Sequence, residues 1–136
     1  EAIDHEMARL LNSLTPEEIA NTIIIFIGDN GTPNRVTQLP YVTMRSKGSI
    51  YQGGINVPMV ISGLGVNRMG EWEAAFIHTT DLFATIAEIS GVSIQKINNS
   101  KSFYDLLSNP NATKREFVYT ERSQNGVSYA IRTWGN

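Results

Sequence analysis

The chain has 136 residues, of which 41% are hydrophobic and 18% are charged, and its formal net charge is -2. This length suits one ordinary domain that buries about 70% of its unfolded surface, and it excludes a large two-domain enzyme. The charged residues form no basic stripe of the kind that binds nucleic acid. The absence of cysteine excludes disulfides and thiolate chemistry. No apolar stretch approaches the ~20 residues of a membrane span.

Two helices are predicted at the start of the chain. The first covers about residues 2–14, because its apolar side chains repeat at helical spacing: Ile3, Met7, Leu10, Leu11 and Leu14. We expect this face to pack on another element. Thr15, Pro16 and Glu18 predict the start of a short second helix, with a hydroxyl cap, a proline in the first turn and an acid three residues after the cap.

Two apolar runs are predicted to be buried strands. Residues 22–27, TIIIFI, show no polar alternation, as is typical of a strand covered on both faces in a parallel sheet. Residues 57–62, VPMVIS, form the second run. Between them, residues 31–56 are polar and rich in glycine and proline, which predicts a long loop that is either functional or disordered. A helix before the first strand indicates an α/β layer architecture.

A third helix and a hairpin follow. Thr80 is predicted to cap a helix that Gly91 terminates, with one apolar face formed by Leu82, Phe83, Ile86 and Ile89. Residues 116–122 and 127–133 alternate around Asn125–Gly126, a strong signal for an antiparallel hairpin. The predicted order is therefore helix, strand, loop, strand, helix and hairpin.

Asp29 and Asn30 follow directly after the first predicted strand. In open parallel sheets ligands bind beyond the carboxyl ends of strands, and these side chains offer the hard oxygen donors that Ca²⁺ and Mg²⁺ prefer. Asp-Asn-Gly is also an ordinary turn that bonds to its own backbone. Taken alone, these residues leave both interpretations open.

Lys47 and His78 are further candidates. Lys47 precedes a glycine and could contact an anionic group as a point charge, or it could be a solvated loop lysine. His78 lies in a polar cluster before the predicted helix start, where it could serve acid–base chemistry or a structural hydrogen bond. The sequence does not decide between these alternatives.

Three segments in this order resemble the C-terminal part of the catalytic domain of sulfatases, within the alkaline phosphatase superfamily. They are NTIIIFIGDNG, then KGSIYQGGINVP with the strand MVISGLGV, then HTTDLFATIAEISGV. The resemblance covers roughly residues 1–92. It implies part of an alkaline-phosphatase-like parallel sheet layered with helices, followed by a C-terminal antiparallel hairpin. It also implies residues 1–97 as a portion of the catalytic domain and 98–136 as the start of a small antiparallel subdomain.

The resemblance implies a site as well. Asp29 and Asn30 would be ligands of a divalent cation, Ca²⁺ in preference to Mg²⁺, and Lys47 would contact the sulfate group. Gln52 stands where the family usually has Glu, and Asn56 where it usually has Arg. Both replacements remove charge near the base of the loop and leave the metal pair untouched.

The formylglycine nucleophile of the family arises from Cys or Ser in a Cys/Ser-x-Pro-x-Arg motif upstream of the matched region. The chain has no cysteine, and its nearest imitation, residues 108–112, has Ala112 where arginine belongs and lies on the wrong side of the Asp-Asn-Gly. The first residue is not Met and the last segment reads as a strand. We therefore expect a fragment that is inactive alone and binds metal weakly or not at all, because Ca²⁺ takes ~6 to 8 ligands.

Three functions stay open at this point. The resemblance favours a fragment of a sulfatase that hydrolyses a sulfate ester, possibly of a carbohydrate. The second hypothesis is a phosphatase, phosphodiesterase or phosphonate hydrolase of the same superfamily. The third is a non-catalytic α/β binding module. Only the resemblance favours a periplasmic or secreted location.

Overall fold

The computed structural model describes residues 2–93, 95, 98–123 and 126–134. In chain order the helices and strands are α1 (Ala2–Asn12), α2 (Pro16–Ala20), β1 (Ile23–Ile27), α3 (Gln52–Ile55), β2 (Met59–Gly63), α4 (Asp81–Ile89), β3 (Phe117–Arg122) and β4 (Ser128–Thr133). Short 3₁₀ turns lie at Asn34–Val36, Thr43–Arg45 and Tyr104–Leu107. The described residues contain no helix that is both long and apolar enough to cross a bilayer.

The two N-terminal helices form where the sequence predicts them. The backbone N–H of Glu18 donates to the Thr15 hydroxyl at 3.2 Å, and the Glu18 carboxylate accepts the N–H of Thr15 at 2.8 Å. The bonds that the Thr15 N–H and the Thr15 hydroxyl donate to this carboxylate lower the pKa of Glu18. Helix α1 ends two residues before the predicted boundary and has no buried residue, and Ile3 is 68% exposed. The expected packing of its apolar face is therefore not made by the described residues.

Strands form at both predicted segments, 22–27 and 57–62, but their burial and their direction differ from the prediction. No residue of β1 or β2 is buried, and Phe26 and Val60 are 38% and 61% exposed. β1 and β2 pair antiparallel, with Ile25 opposite Ile61. The Gly28 N–H donates to the Pro58 carbonyl at 2.9 Å just beyond the pair. The loop returns the chain to the end where β1 stopped, whereas a parallel partner would need a crossover to the opposite end. Parallel layering is not observed among the described residues, while the mixed α/β composition is.

A small apolar core lies beside β2. Phe103, just before the last 3₁₀ segment, and Leu106 and Leu107 within it are each less than 9% exposed. They pack against partly buried side chains from β2, the following loop and α4, among them Met59, Ile61, Val66, Ala75, Ile77 and Leu82. Met59 and Ile61 point to this core because alternate residues of a strand share one face.

An ion cluster fastens the loop after β2 to this core. Arg68 donates to Glu73 at 2.6 Å and to the carbonyl of Leu106 at 3.0 Å. Lys114 donates to the other oxygen of Glu73 at 2.9 Å. Burial raises the pKa of Glu73, but the bonds from Arg68 and Lys114 outweigh it and hold the pKa at about 2.

Helix α4 forms as predicted, but its cap and its buried face differ from the prediction. Gly91 has φ +68, and the N–H groups of Gly91 and Val92 bond to carbonyls of the last turn, which confirms the predicted C-terminal stop. Thr80 makes no side-chain cap bond, so the predicted hydroxyl cap is wrong. The buried side chains are Asp81 and Thr85, whereas Phe83 and Ile86 of the predicted apolar face are 53% and 51% exposed.

The C-terminal hairpin is confirmed. β3 and β4 pair antiparallel, with Tyr119 opposite Ile131. Gly126 has φ +112, as a tight turn requires, and Asn125 lies outside the described residues. One face of the hairpin leaves large side chains exposed, namely Phe117, Tyr119, Tyr129 and Ile131.

The chain exposes far more surface than a closed domain of its length. Its accessible area is 10502 Å², whereas a folded monomer of this size exposes about 7,000 Å². The excess reflects the uncovered apolar faces of α1, α4 and the hairpin. The described residues therefore leave several packing faces without a partner.

Candidate functional site

The predicted metal pair follows β1 on an exposed turn. Asp29 and Asn30 are both exposed. The Asn30 amide donates to the carbonyl of Gly31 at 3.1 Å, which leaves the Asn30 Oδ1 atom available as an acceptor. The Asp29 carboxylate has no hydrogen-bond or ion-pair partner within the described ranges. The turn therefore exposes the oxygen atoms of both side chains, while the Asn30 amide bonds to the backbone of the same turn.

Glycines bring the segments around this turn into close contact. Gly31 is buried, and a Cβ atom placed on it would overlap the carbonyl oxygens of Gly53 and Gly54. The N–H of Thr32 donates to the Gly53 carbonyl at 3.0 Å. A side chain at Gly31 would therefore push this turn away from α3, and one at Gly53 or Gly54 would collide with the backbone of residues 45–49. The Gly53–Gly54 pair is therefore closely approached by the backbone at Gly31.

Lys47 is held next to the same turn through its backbone. Its N–H donates to the Thr32 carbonyl at 2.9 Å, three residues after Asp29. Ser46 before it is 1% exposed, and its hydroxyl donates to the Val42 carbonyl at 3.0 Å. The Lys47 side chain is exposed, and its amine has no partner in the part of the chain that the structure describes. The structure thus joins the segments that carry all three predicted site residues.

The loop around Lys47 has a one-sided charge. No Asp or Glu occurs from residue 30 to residue 70, although the whole chain carries a net charge of -2. Residues 31–56 carry three cations, Arg35, Arg45 and Lys47. This acid-free stretch is a sequence signal for anion binding that motif reading alone overlooks.

Gln52 and Asn56 lie at opposite ends of α3. They are joined through the backbone, because the Asn56 N–H donates to the Gln52 carbonyl at 2.9 Å. Neither side chain has a hydrogen-bond partner among the residues that are described. The helix therefore forms without the charged pair that the family pattern implies.

His78 has a structural environment. The Thr80 N–H donates to His78 Nδ1 at 3.3 Å, and the Thr80 hydroxyl lies 3.0 Å from the same atom. The backbone N–H of His78 donates to the Asp81 carboxylate at 2.8 Å. These bonds shape the turn before α4, which supports the structural reading of this histidine.

The donor set at the turn fits part of a shell for a hard cation. Asp29 contributes a carboxylate and Asn30 a carbonyl oxygen, both of the type that Ca²⁺ binds. The described residues contain no group of three or more His, Cys, Asp or Glu side chains that would complete a site. The residues fit the cation in kind and fall short of it in number.

Comparison with known proteins defines the class of protein. The sulfatase family model matches residues 1–92, which include Asp29, Asn30 and Lys47. The chain belongs to the sulfatase family, whose members hydrolyse sulfate esters. The resemblance drawn from the three motifs is confirmed.

Particular relatives support this assignment. A sulfatase of Formosa agariphila is 33% identical over 106 residues, which cover 69% of this chain and 19% of that protein. An arylsulfatase of Clostridium perfringens is 27% identical over 125 residues, which cover 89% of this chain and 25% of that protein. The chain thus spans a fifth to a quarter of the length of these relatives.

A solved structure has the same fold. The structure of BT4656 in complex with its substrate D-glucosamine-2-N,6-O-disulfate superposes with a TM-score of 0.77 and 24% identity. The superposition covers 97% of this chain and 28% of that protein. The hairpin, which lies beyond the residues that the family model matches, therefore belongs to the shared fold.

Proposed function

We propose that this chain is part of an enzyme that hydrolyses sulfate esters, and that it supplies part of the cation shell and one contact to the sulfate. The observation that carries the proposal is the joining of three segments by the backbones of Thr32, Lys47 and Gly53. These backbone bonds hold together the segments that carry the two oxygen donors and the amine. It fits an anionic substrate bound at a cation.

Each residue has a distinct role in this proposal. Asp29 and Asn30 are two oxygen ligands of the cation, and further ligands come from outside this chain. A bound divalent cation lowers the pKa of a nucleophile and polarises the oxygens of the ester. Lys47 places a positive charge on the sulfate oxygens, where negative charge grows as the ester bond breaks. We place the formylglycine nucleophile outside residues 1–136.

We further infer that β1 and β2 join a larger sheet that contains parallel strands and is layered with helices. The uncovered faces of α1 and α4 support this inference, because amphipathic helices beside a sheet bury their apolar side. A boundary near residue 97 separates this part from the antiparallel subdomain. The substrate is a sulfated carbohydrate, as it is for BT4656.

The test is the hydrolysis of 4-nitrophenyl sulfate by the full-length protein that contains this chain. Lys47→Met is expected to lower kcat by about 100-fold or more, because it removes a charge placed at the developing oxyanion. Asp29→Ala is expected to lower activity in a way that added Ca²⁺ partly restores, because it weakens the cation site.

Matched controls separate these roles from general effects of charge. Lys101→Met and Asp4→Ala remove the same charges from exposed positions outside the loop. Both are expected to leave the rate within about twofold of wild type, since surface substitutions away from special features have small effects. Hydrolysis of 4-nitrophenyl phosphate in preference to the sulfate would favour a phosphatase of the superfamily instead.

A further inference from the structure

A second cation of the loop is positioned by an aromatic ring. The guanidinium carbon of Arg45 lies 4.5 Å from the centroid of the Tyr51 ring. Both side chains are exposed, Tyr51 by 48%. Within the described ranges the Arg45 guanidinium makes no hydrogen bond or ion pair, so its N–H donors remain available. This ring contact restricts the guanidinium in advance, which reduces the entropy that it loses on binding an anion.

Arg45 shares its scaffold with Lys47. The residue between them, Ser46, is buried and bonded through its hydroxyl to the Val42 carbonyl and to the Thr37 hydroxyl, the latter at 2.8 Å. The Arg45 carbonyl oxygen would lie 2.8 Å from a Cβ atom on Gly53, so its backbone packs on α3. Arg45 and Lys47 therefore flank one anchored serine beside the metal turn.

The charge of this region exceeds what a single sulfate requires. Arg45 and Lys47 both lie in the stretch from residue 30 to residue 70 that contains no acid. A sugar with one sulfate would engage Lys47 and leave the Arg45 guanidinium with water alone. The planar fork of arginine matches the paired oxygens of an anionic group better than a lysine amine does.

We propose that Arg45, held over Tyr51, binds a second sulfate group of the substrate beside the ester that Lys47 contacts. The inference rests on the proposed function and narrows it to sugars that carry two sulfates. Tyr51 positions the guanidinium by stacking. Arg45 is thus a residue that determines substrate specificity.

The test compares two inhibitors of 4-nitrophenyl sulfate hydrolysis by the full-length protein. D-Glucosamine-2-N,6-O-disulfate and D-glucosamine-6-O-sulfate differ by one sulfate. We expect the disulfated sugar to inhibit about 10- to 100-fold more tightly, the range for one hydrogen-bonded ion contact. Arg45→Met should abolish this preference, which is measured as the ratio of the two inhibition constants in the same variant, so that a general change in its activity cancels.

Three further variants locate the effect at the stacked guanidinium. Arg45→Lys keeps the charge without the planar fork and should retain only part of the preference for the disulfated sugar. Tyr51→Ala removes the ring and should weaken this preference, whereas Tyr51→Phe keeps the ring and should preserve it. Arg35→Met removes a cation of the same loop that has no ring contact among the described residues, and it should leave most of the preference.

The outcomes separate this inference from the proposed function. Normal hydrolysis with equal inhibition by both sugars, or a preference that survives in Arg45→Met, would overturn the role of Arg45 and leave the sulfatase proposal standing. An equal loss in Arg35→Met would replace the specific contact by general loop charge. Absence of 4-nitrophenyl sulfate hydrolysis would overturn the proposed function and this inference with it.

Discussion

Asp81 and Arg115 form an ion pair that ties the hairpin segment to α4. Asp81 is 2% exposed, and its carboxylate accepts the backbone N–H groups of His78 at 2.8 Å and Lys101 at 2.9 Å. Arg115 adds a bond from Nε at 3.0 Å and a second bond from Nη2. One carboxylate therefore fixes three separate parts of the chain. Replacing it is expected to destabilise the protein strongly.

The expected loss follows from what each change leaves buried. Asp81→Ala leaves two backbone N–H groups without their acceptor and leaves the Arg115 guanidinium bonded only to the Asn99 carbonyl, at 2.6 Å. Removal of one partner from a buried ion pair costs about 3 to 5 kcal/mol. Arg115→Met leaves Asp81 bonded to both N–H groups, so its cost should be nearer that of a charged hydrogen bond, about 1.5 to 3 kcal/mol. Asp81→Ala should therefore be the more damaging change.

The measurement is urea unfolding of the full-length protein, with hydrogen exchange at the Lys101 and Phe103 amides as a local probe. The control is the Glu6–Arg9 pair on α1, whose side chains are 60% and 72% exposed. Glu6→Ala should cost less than about 1 kcal/mol. If Asp81→Ala lowered the free energy of unfolding as little as Glu6→Ala does, the expected contribution of the Asp81 carboxylate to stability would be refuted.

Three other outcomes are expected. The folded-state pKa of Glu73, about 2, lies below its ordinary value of 4.5, so the ionised carboxylate should stabilise the protein above about pH 4.5 and lose this contribution as the pH falls towards 2. Thermal unfolding should show this acid-dependent loss in the wild type and not in Glu73→Gln. Gly31→Ala should cost about 1 to 3 kcal/mol by forcing its Cβ onto the Gly53 carbonyl, whereas Gly70→Ala, where nothing lies within 4 Å, should cost less despite its φ of +73. Calorimetric titration of the isolated chain with Ca²⁺ should show weak or no binding, and tight stoichiometric binding would contradict the partial shell.

Local sequence rules predicted much of the fold. The capping box at Thr15, the stop at Gly91 and the hairpin at residues 116–133 each depend on side chains a few residues apart, and all three are present. The end of β1 before Asp29 is of the same kind. These features need no information from distant parts of the chain.

The errors arose where distant parts of the chain compete. The apolar spacing of α4 predicted Phe83 and Ile86 as its inner face, but the described neighbours cover Asp81 and Thr85 instead. Thr85 is buried because its hydroxyl accepts the Phe103 N–H at 3.1 Å, a partner 18 residues away. Periodicity identifies an apolar face and does not say which element covers it.

The candidate site divides in the same way. The order of the motifs was sufficient to predict Asp29, Asn30 and Lys47 as its members, and their roles stay predictions. The contact of Arg45 with the Tyr51 ring was not predictable, because Arg45 lies outside the three motifs and a ring contact depends on how the loop folds back.

The sequence by itself determined helices α1, α2 and α4, the strands, the hairpin turn and the family, because these follow from residues that are neighbours along the chain. The tertiary structure decided the antiparallel pairing of β1 with β2, the burial of Asp81, and the contact that brings Gly31 and Lys47 together around α3. Each of these depends on groups that lie far apart along the chain and meet only when it folds, so the spacing of neighbouring residues does not record them.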